Sequence, residues 1–235
     1  MTESTRQGNL YLVSTPIGNL EDITLRALRI LKEVDLIAAE DTRRTRHLLT
    51  HFDITGKLES YHDHNKERKT PRLLSALQEG RSAAVVSDAG TPGISDPAFY
   101  LAREAIRESI PVVPIPGPTA AIAGLTVSGL PTNRFVFEGF LPPKKGRKKR
   151  LADLSAEKRT IILYESPHRL LRTLTDLSET LGSRMMAVGR ELTKQFEEVV
   201  RGTIEEVLLH FSESTIRGEF VLIIHGKTKD NHEKT

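Results

Sequence analysis

The sequence predicts an α/β protein of two lobes whose sheets are mostly parallel. Three observations predict it. At 235 residues the chain is longer than a typical single domain. Short β-branched runs alternate with longer stretches whose apolar residues recur at helical spacing, the pattern of βαβ units. The 16 glycines and 12 prolines are average in number but cluster directly behind the short runs.

Residues 9–13 (NLYLV) read as the first strand, and 24–32 (TLRALRILK) as a helix with Leu25, Leu28 and Leu31 in phase. A strand at 35–39 (DLIAA) and a helix at 42–51 follow. Residues 61–69 (YHDHNKERK) read as a polar connection and 73–78 as a helix. Strand 83–87 (AAVVS), helix 97–108 and strand 112–115 complete the first lobe. The small residues of PGPTAAIAG then open a helix fit for close packing. Strand 135–138, helix 151–157, strand 160–164 (TIILY) and helix 169–180 come next. Runs at 185–189, 197–200 and 220–225 (FVLIIH) complete a second, more mixed sheet. The expected division is a lobe at 8–117, a second at 118–227 and a polar tail at 228–235.

Composition removes whole classes of function. With no cysteine there is no disulfide, thiolate nucleophile or cysteine-ligated zinc. The first residues show no basic region followed by a long apolar one, so no signal peptide is read there. No apolar run approaches the roughly 20 residues of a membrane span. A cytoplasmic protein is expected. The net charge of +3 describes no polycation.

Four turn-rich loops follow strands: residues 15–19 (TPIGN), 88–97 (DAGTPGISDP), 116–119 (PGPT) and 165–168 (ESPH). Each alone also reads as a helix start, as Ser95 and Asp96 before Pro97 illustrate. Together, at the carboxyl ends of strands, they read as a binding crevice. Neither G-x-G-x-x-G nor G-x-x-x-x-G-K-[ST] occurs, so the loops offer no phosphate cradle. Proline-stiffened loops hold backbone N–H and C=O groups in fixed positions, which suits a ligand without phosphates.

These segments, with AAEDTR (38–43), GFLPP (139–143), LYESPHRL (163–170), GRELTK (189–194) and GEFVLIIHG (218–226), resemble the tetrapyrrole-methylase-like, or class III, methyltransferases. The resemblance runs over about residues 8–226 and is nearest the branch that methylates 16S ribosomal RNA at the ribose 2′-oxygen of cytidine 1402. It implies S-adenosylmethionine bound in a cleft between two α/β lobes, a homodimer, and the small ribosomal subunit or its RNA as partner. By position it assigns cofactor contacts to Ile17, Asp88, Ala89, Gly90, Thr91, Ile94, Pro118, Thr119, Leu163, Tyr164, Gly189 and Glu219. Many members of the branch continue beyond the position of Gly226, whereas this chain ends in the tail KTKDNHEKT, and a weaker grip on RNA is the expectation.

Charge adds the acceptor side. Residues 144–150 (KKGRKKR) hold six cations in seven positions, so Lys144, Lys145, Arg147, Lys148, Lys149 and Arg150 are candidate RNA contacts. The alternative is a solvated loop. Arg43 and Arg44 form a second basic cluster. Aromatic residues are only 5% of the chain, so recognition by shape and backbone is expected over base stacking. A ribose hydroxyl is a weak acid that a base or cationic neighbour would help to attack. Asp41, Glu165, His168, Glu191 and Lys194 are the candidates, with Glu191 and Lys194 one helical turn apart, and an ion pair or cap is an equal reading of each. Arg169 or Arg190 could anchor a phosphate. The eight histidines show no metal-ligand spacing, and none is required. The rival functions are a tetrapyrrole (precorrin or uroporphyrinogen) C-methyltransferase on the same fold, and a non-catalytic RNA-binding module.

Overall fold

A computed structural model describes residues 7–228 and divides the chain into two units, Met1–Thr119 and Ala120–Thr235. All but the first residue of the expected tail lies outside the described residues.

In the first unit, β1 (Leu10–Val13), β2 (Leu36–Ala39), β3 (Leu58–Ser60), β4 (Ala83–Val86) and β5 (Val112–Ile115) form one sheet in the order β3-β2-β4-β1-β5. Every pairing is parallel, and Leu12 stands opposite both Val85 and Pro114. β2 and β4 are buried at every position, because helices cover both faces of a parallel sheet. Strand alternation then sorts their side chains. Leu36 and Ala38 join the core that holds Leu73, Leu77 and Leu101, while Ile37 and Ala39 join Ile30, Leu31 and Leu49. Thus α1 (Leu25–Glu33) and α2 (Thr42–His51) cover one face, and α3 (Lys66–Gln78) and α4 (Ala98–Arg107) the other. The Thr24 hydroxyl and the Asp41 carboxylate cap the first two helices by accepting from the amides of Ala27 and Arg43.

The stretch expected to be a polar connection is partly helix. α3 begins at Lys66 and carries Pro71 in its second turn, since burial of Thr70, Leu73, Ala76 and Leu77 on one face outweighs the lost N–H. β3 is an addition to the expected elements. It is three half-buried residues at the edge of the sheet, too short to show a period.

In the second unit, β6 (Phe135–Phe140), β7 (Thr160–Glu165), β8 (Met185–Arg190), β9 (Glu198–Thr203) and β10 (Phe220–Ile224) pair in the order β6-β7-β10-β8-β9. Only β6 and β7 run parallel, so this sheet is mixed and mainly antiparallel. The small-residue helix α5 (Ala120–Val127) lies tightly on it: a Cβ on Gly124 would stand 2.6 Å from Val221. Another core contains residues of α6 (Arg147–Ser155), α7 (Leu170–Leu181) and α8 (Ile204–Ser212). α8 is a further addition, and Thr203 and Glu206 form its capping box. α6 starts four residues earlier than expected, which places four of the six cations of the basic run on a helix.

Candidate functional site

The loops behind β1, β4 and β5 leave three adjacent strands of the first sheet at the same edge. β1 connects toward β2 and β4 toward β5, in opposite directions across the sheet, the arrangement that opens a crevice in α/β folds. Backbone holds the loops together. Thr15 and Gly90 form an isolated antiparallel bridge, N–H to O in both directions at 2.9 and 3.0 Å. The hydroxyls of Ser14 and Thr91 are 3.0 Å apart, and Thr91 donates to the Pro118 carbonyl at 3.3 Å. Gly90 has φ +78°, and a Cβ there would come within 3.4 Å of Ile17 and 3.6 Å of the Pro118 oxygen. Only glycine takes that conformation without strain. Ile17, Gly90, Thr91, Pro118 and Thr119 are thereby brought together, and Ile94 is exposed beside them in a turn where Ser95 has φ +66°.

Carboxylates surround this group. Asp88 accepts from the Asp41 amide at 3.0 Å and has Arg44 at 3.6 Å. Asp96, read from sequence as a helix cap, accepts from the amides of Gly93 and Ala98 at 2.8–2.9 Å, and its burial pushes its carboxyl up. Glu40, absent from the sequence candidates, ends up beside them. Burial pushes its carboxyl up first, and the charges of Asp88, Asp96 and Asp63 add to that. Its position directly behind β2 was the available signal, but no glycine or proline flags that loop.

The donor set fits a ligand of net positive charge without phosphates. A cavity of about 110 Å³ opens among Thr15, Pro16, Arg44, Ser87 and Asp88. Within it Thr15 Oγ1 is buried with no hydrogen-bond partner among the described residues. A cavity of the second unit, about 660 Å³, lies at the other end of its sheet, around Arg134, Lys158, Thr160 and His225, and includes none of the residues expected at the ligand.

In the second unit the expected residues are placed differently from one another. Tyr164 accepts from the Ala121 amide at 3.1 Å and packs edge-on against Phe137. Gly189 lies in β8 opposite Val221, too close to Leu192 to carry a side chain easily. Leu163, expected at the ligand, is wholly buried in the core.

Glu191, Lys194 and Glu219 form one ion cluster. Lys194 Nζ is 2.8 Å from Glu191 and 3.0 Å from Glu219, and the Glu219 amide donates to Glu191. The pairing is as expected, but the backbone is not helical there: Glu191 and Thr193 have φ +50° and +69°. Burial pushes the Glu191 carboxyl up, yet the Lys194 ammonium and the Glu219 amide overcome it and hold it below the ordinary range. Burial acts to lower Lys194, and the two carboxylates raise it instead, so it stays an ammonium. Asp41 is held well below the carboxylate range by the Arg43 guanidinium. Groups so stabilised in their charged forms are weak proton acceptors.

Two sequence expectations are corrected by burial. Glu165 is 2% exposed and accepts from the Thr173 hydroxyl and the Ser166 amide at 2.6 and 2.9 Å, so it is a structural hub rather than a group open to an acceptor. Arg147 is 3% exposed and pairs with Asp176 at 2.6 Å, so it is no phosphate contact. Lys144, Lys145, Lys148, Lys149 and Arg150 are exposed, as are Arg43, Arg44 and His168. Arg150 pairs with Glu138 at 3.1 Å. Of the two candidate phosphate anchors, Arg169 is bound to Glu165 and to the Leu141 carbonyl, and Arg190 to Glu198. Among the described residues no three histidines or carboxylates are placed to hold a metal ion, and no helix is long and apolar enough to cross a membrane.

Comparison with known proteins decides the family. Residues 9–208 match the model of the Tetrapyrrole (Corrin/Porphyrin) Methylases. The chain belongs to that family. Within it, 94% of the chain is 57% identical to a protein named ribosomal RNA small subunit methyltransferase I from Halalkalibacterium halodurans, covering 76% of that relative. The proteins of the same name from Escherichia coli O157:H7 and Thermotoga maritima are 53% and 47% identical over 94% of the chain, covering 78% and 99% of their own lengths. The methylase fold itself is seen in the crystal structure of uroporphyrin-III-C-methyltransferase from Thermus thermophilus, with TM-score 0.67 and 23% identity over 93% of this chain and 94% of that one. A second structure of uroporphyrin-III C-methyltransferase from the same organism, complexed with S-adenyl homocysteine, matches with TM-score 0.65 and 21% identity over 93% of this chain and 97% of that one.

Proposed function

We propose that the protein is an S-adenosylmethionine-dependent methyltransferase of small-subunit ribosomal RNA, acting on the ribose 2′-oxygen of cytidine 1402. The observation that carries it is the 57% identity to a ribosomal RNA small subunit methyltransferase I across nearly the whole chain. The site supports it. The donor has a sulfonium, an ammonium and a carboxylate, hence one net positive charge and no phosphate, and the loops offer backbone groups among Glu40, Asp88 and Asp96. When bound, it supplies a methyl group already electrophilic at sulfur. The chain's own task is to align sulfur, methyl and acceptor oxygen.

The loop residues Ile17, Asp88, Ala89, Gly90, Thr91, Ile94, Pro118 and Thr119 hold the donor chiefly through backbone, and Tyr164, Gly189 and Glu219 complete the proposed contacts. His168, exposed and outside every ion cluster described, is the remaining candidate to assist the hydroxyl. Lys144, Lys145, Lys148, Lys149, Arg43 and Arg44 neutralise phosphates of the RNA. The enzyme acts as a homodimer in the cytoplasm, where ribosomal subunits are assembled, and sedimentation equilibrium of the pure protein tests the dimer.

Purified protein is incubated with methyl-labelled donor and either small subunits that lack the modification or a uroporphyrinogen substrate. Label in an alkali-resistant dinucleotide of the RNA is expected. Label in the tetrapyrrole, or no transfer together with no binding of donor by calorimetry, overturns the proposal.

A further inference from the structure

We propose that Arg147 and Glu165 are positioning residues that hold the basic run in one geometry for RNA, acting through Lys144 and Lys145 without touching the substrate. The inference rests on the ribosomal RNA reading given above.

Arg147 sits within a block of exposed cations yet is itself interior. Its guanidinium spends three donors on two segments: on α7, Nε to Asp176 at 2.6 Å and Nη2 to the Thr173 hydroxyl at 2.9 Å, and on the loop after β6, Nη1 to the Pro142 carbonyl at 3.4 Å. Thr173 passes the link on, donating to Glu165 Oε2 at 2.6 Å. The other oxygen of Glu165 accepts from the Ser166 amide at 2.9 Å and lies 3.4 Å from Arg169 Nε. Arg169 in turn donates to the Leu141 carbonyl.

The result is a clamp. Two arginines grip the consecutive carbonyls of residues 141 and 142, one residue before Lys144 and Lys145, and Arg147 anchors the chain one residue after them. Between these anchors Gly146 turns the backbone at φ +85°. Adjacent lysines repel, and on an untethered loop they would spread apart. A buried charge is a poor way to gain stability, since an apolar side chain of similar volume serves as well or better. What the charged network supplies is a fixed path for the chain that carries the lysines.

The test measures binding of labelled small-subunit ribosomal RNA over a salt series, for wild type, Arg147→Met, Lys144→Ala/Lys145→Ala and the triple variant. Arg147→Met is expected to weaken binding about tenfold at low salt and to flatten the salt slope by about 0.7 for each phosphate no longer neutralised. Affinity for S-adenosylhomocysteine, read by calorimetry, should not move. In the lysine-less background Arg147→Met should add less than about twofold, because the pathway it acts through is gone. Unchanged RNA affinity in Arg147→Met, or an undiminished effect in the lysine-less background, overturns the inference. Should Arg147→Met fail to fold, Arg147→Lys carries the same test: it keeps the charge, but one ammonium cannot replace a fork holding three partners. If the lysine variant binds RNA as wild type does, the ribosomal RNA contact itself is wrong. If the lysine variant is weak and Arg147→Met is normal, the positioning role alone falls.

Discussion

The two units solve the placement of a loop by different means. Behind the parallel sheet of the first unit, loops are held chiefly through backbone groups: the Thr15–Gly90 bridge, a glycine at positive φ, hydroxyl contacts from Ser14 and Thr91, and amides donated to Asp88 and Asp96. In the second, loops are held by charged side chains, with Glu165 and Arg147 inside and the Glu191–Lys194–Glu219 cluster nearer the surface. On the proposed function, the contrast matches what each unit would face. A small ligand of few charges is gripped by fixed dipoles and shape, whereas a polyanion needs many cations held apart from one another.

Substitutions of decreasing effect bear on this contrast. Glu165→Ala leaves the half-buried Arg169 without its carboxylate and the buried Thr173 hydroxyl without its acceptor, and a loss of about 3 kcal/mol in urea unfolding is expected. A near-neutral outcome would show that charge does not organise the second unit. Gly90→Ala adds a Cβ against Ile17 at a positive φ, which costs about 1–2 kcal/mol. It should weaken S-adenosylhomocysteine binding about tenfold by calorimetry while leaving amide exchange in residues 120–228 as in wild type; unaltered affinity would remove the backbone cradle. Glu40→Gln probes the carboxylates. The folded carboxyl is raised above its ordinary value of 4.5, so its contribution to stability is present below that value and lost as pH rises through the folded one. The variant should therefore be more stable than wild type at pH 7, by less than about 0.5 kcal/mol after screening, and no more stable at pH 4. Its affinity for the cationic donor should fall at the same time. A stability gain that persists at pH 4 would assign the effect to something other than charge. Smallest on stability, Lys144→Ala/Lys145→Ala should change unfolding by less than about 0.5 kcal/mol, since both side chains are exposed.

Much of this is legible in the residues. LIAA and AAVV announce buried strands because parallel strands need no polar face, and the Gly–Pro clusters behind β1, β4 and β5 mark the loops proposed to hold the donor. What escapes has physical causes. β3 is too short for a period, and Pro71 disguises a helix whose buried face still reads Thr70, Leu73, Ala76 and Leu77. Arg147 is indistinguishable from its neighbours by residue type. Its signal is phase: Arg147, Leu151 and Leu154 are spaced four and three apart and share the buried face of α6. Glu165 reads as a surface group because it ends a strand, although Thr173 lies one residue from Leu174 on a helix that is itself buried there.

The Thr15–Gly90 bridge has a consequence for how the first unit responds to a ligand. Neighbouring parallel strands send their loops out side by side, and each would ordinarily fluctuate independently. One pair of reciprocal hydrogen bonds limits that independence, so the loops behind β1 and β4 are tied together at Thr15 and Gly90. The entropy of ordering two loops is then spent on folding rather than on binding. A donor that touches either loop meets both already set, and whatever loosens one releases the other with it.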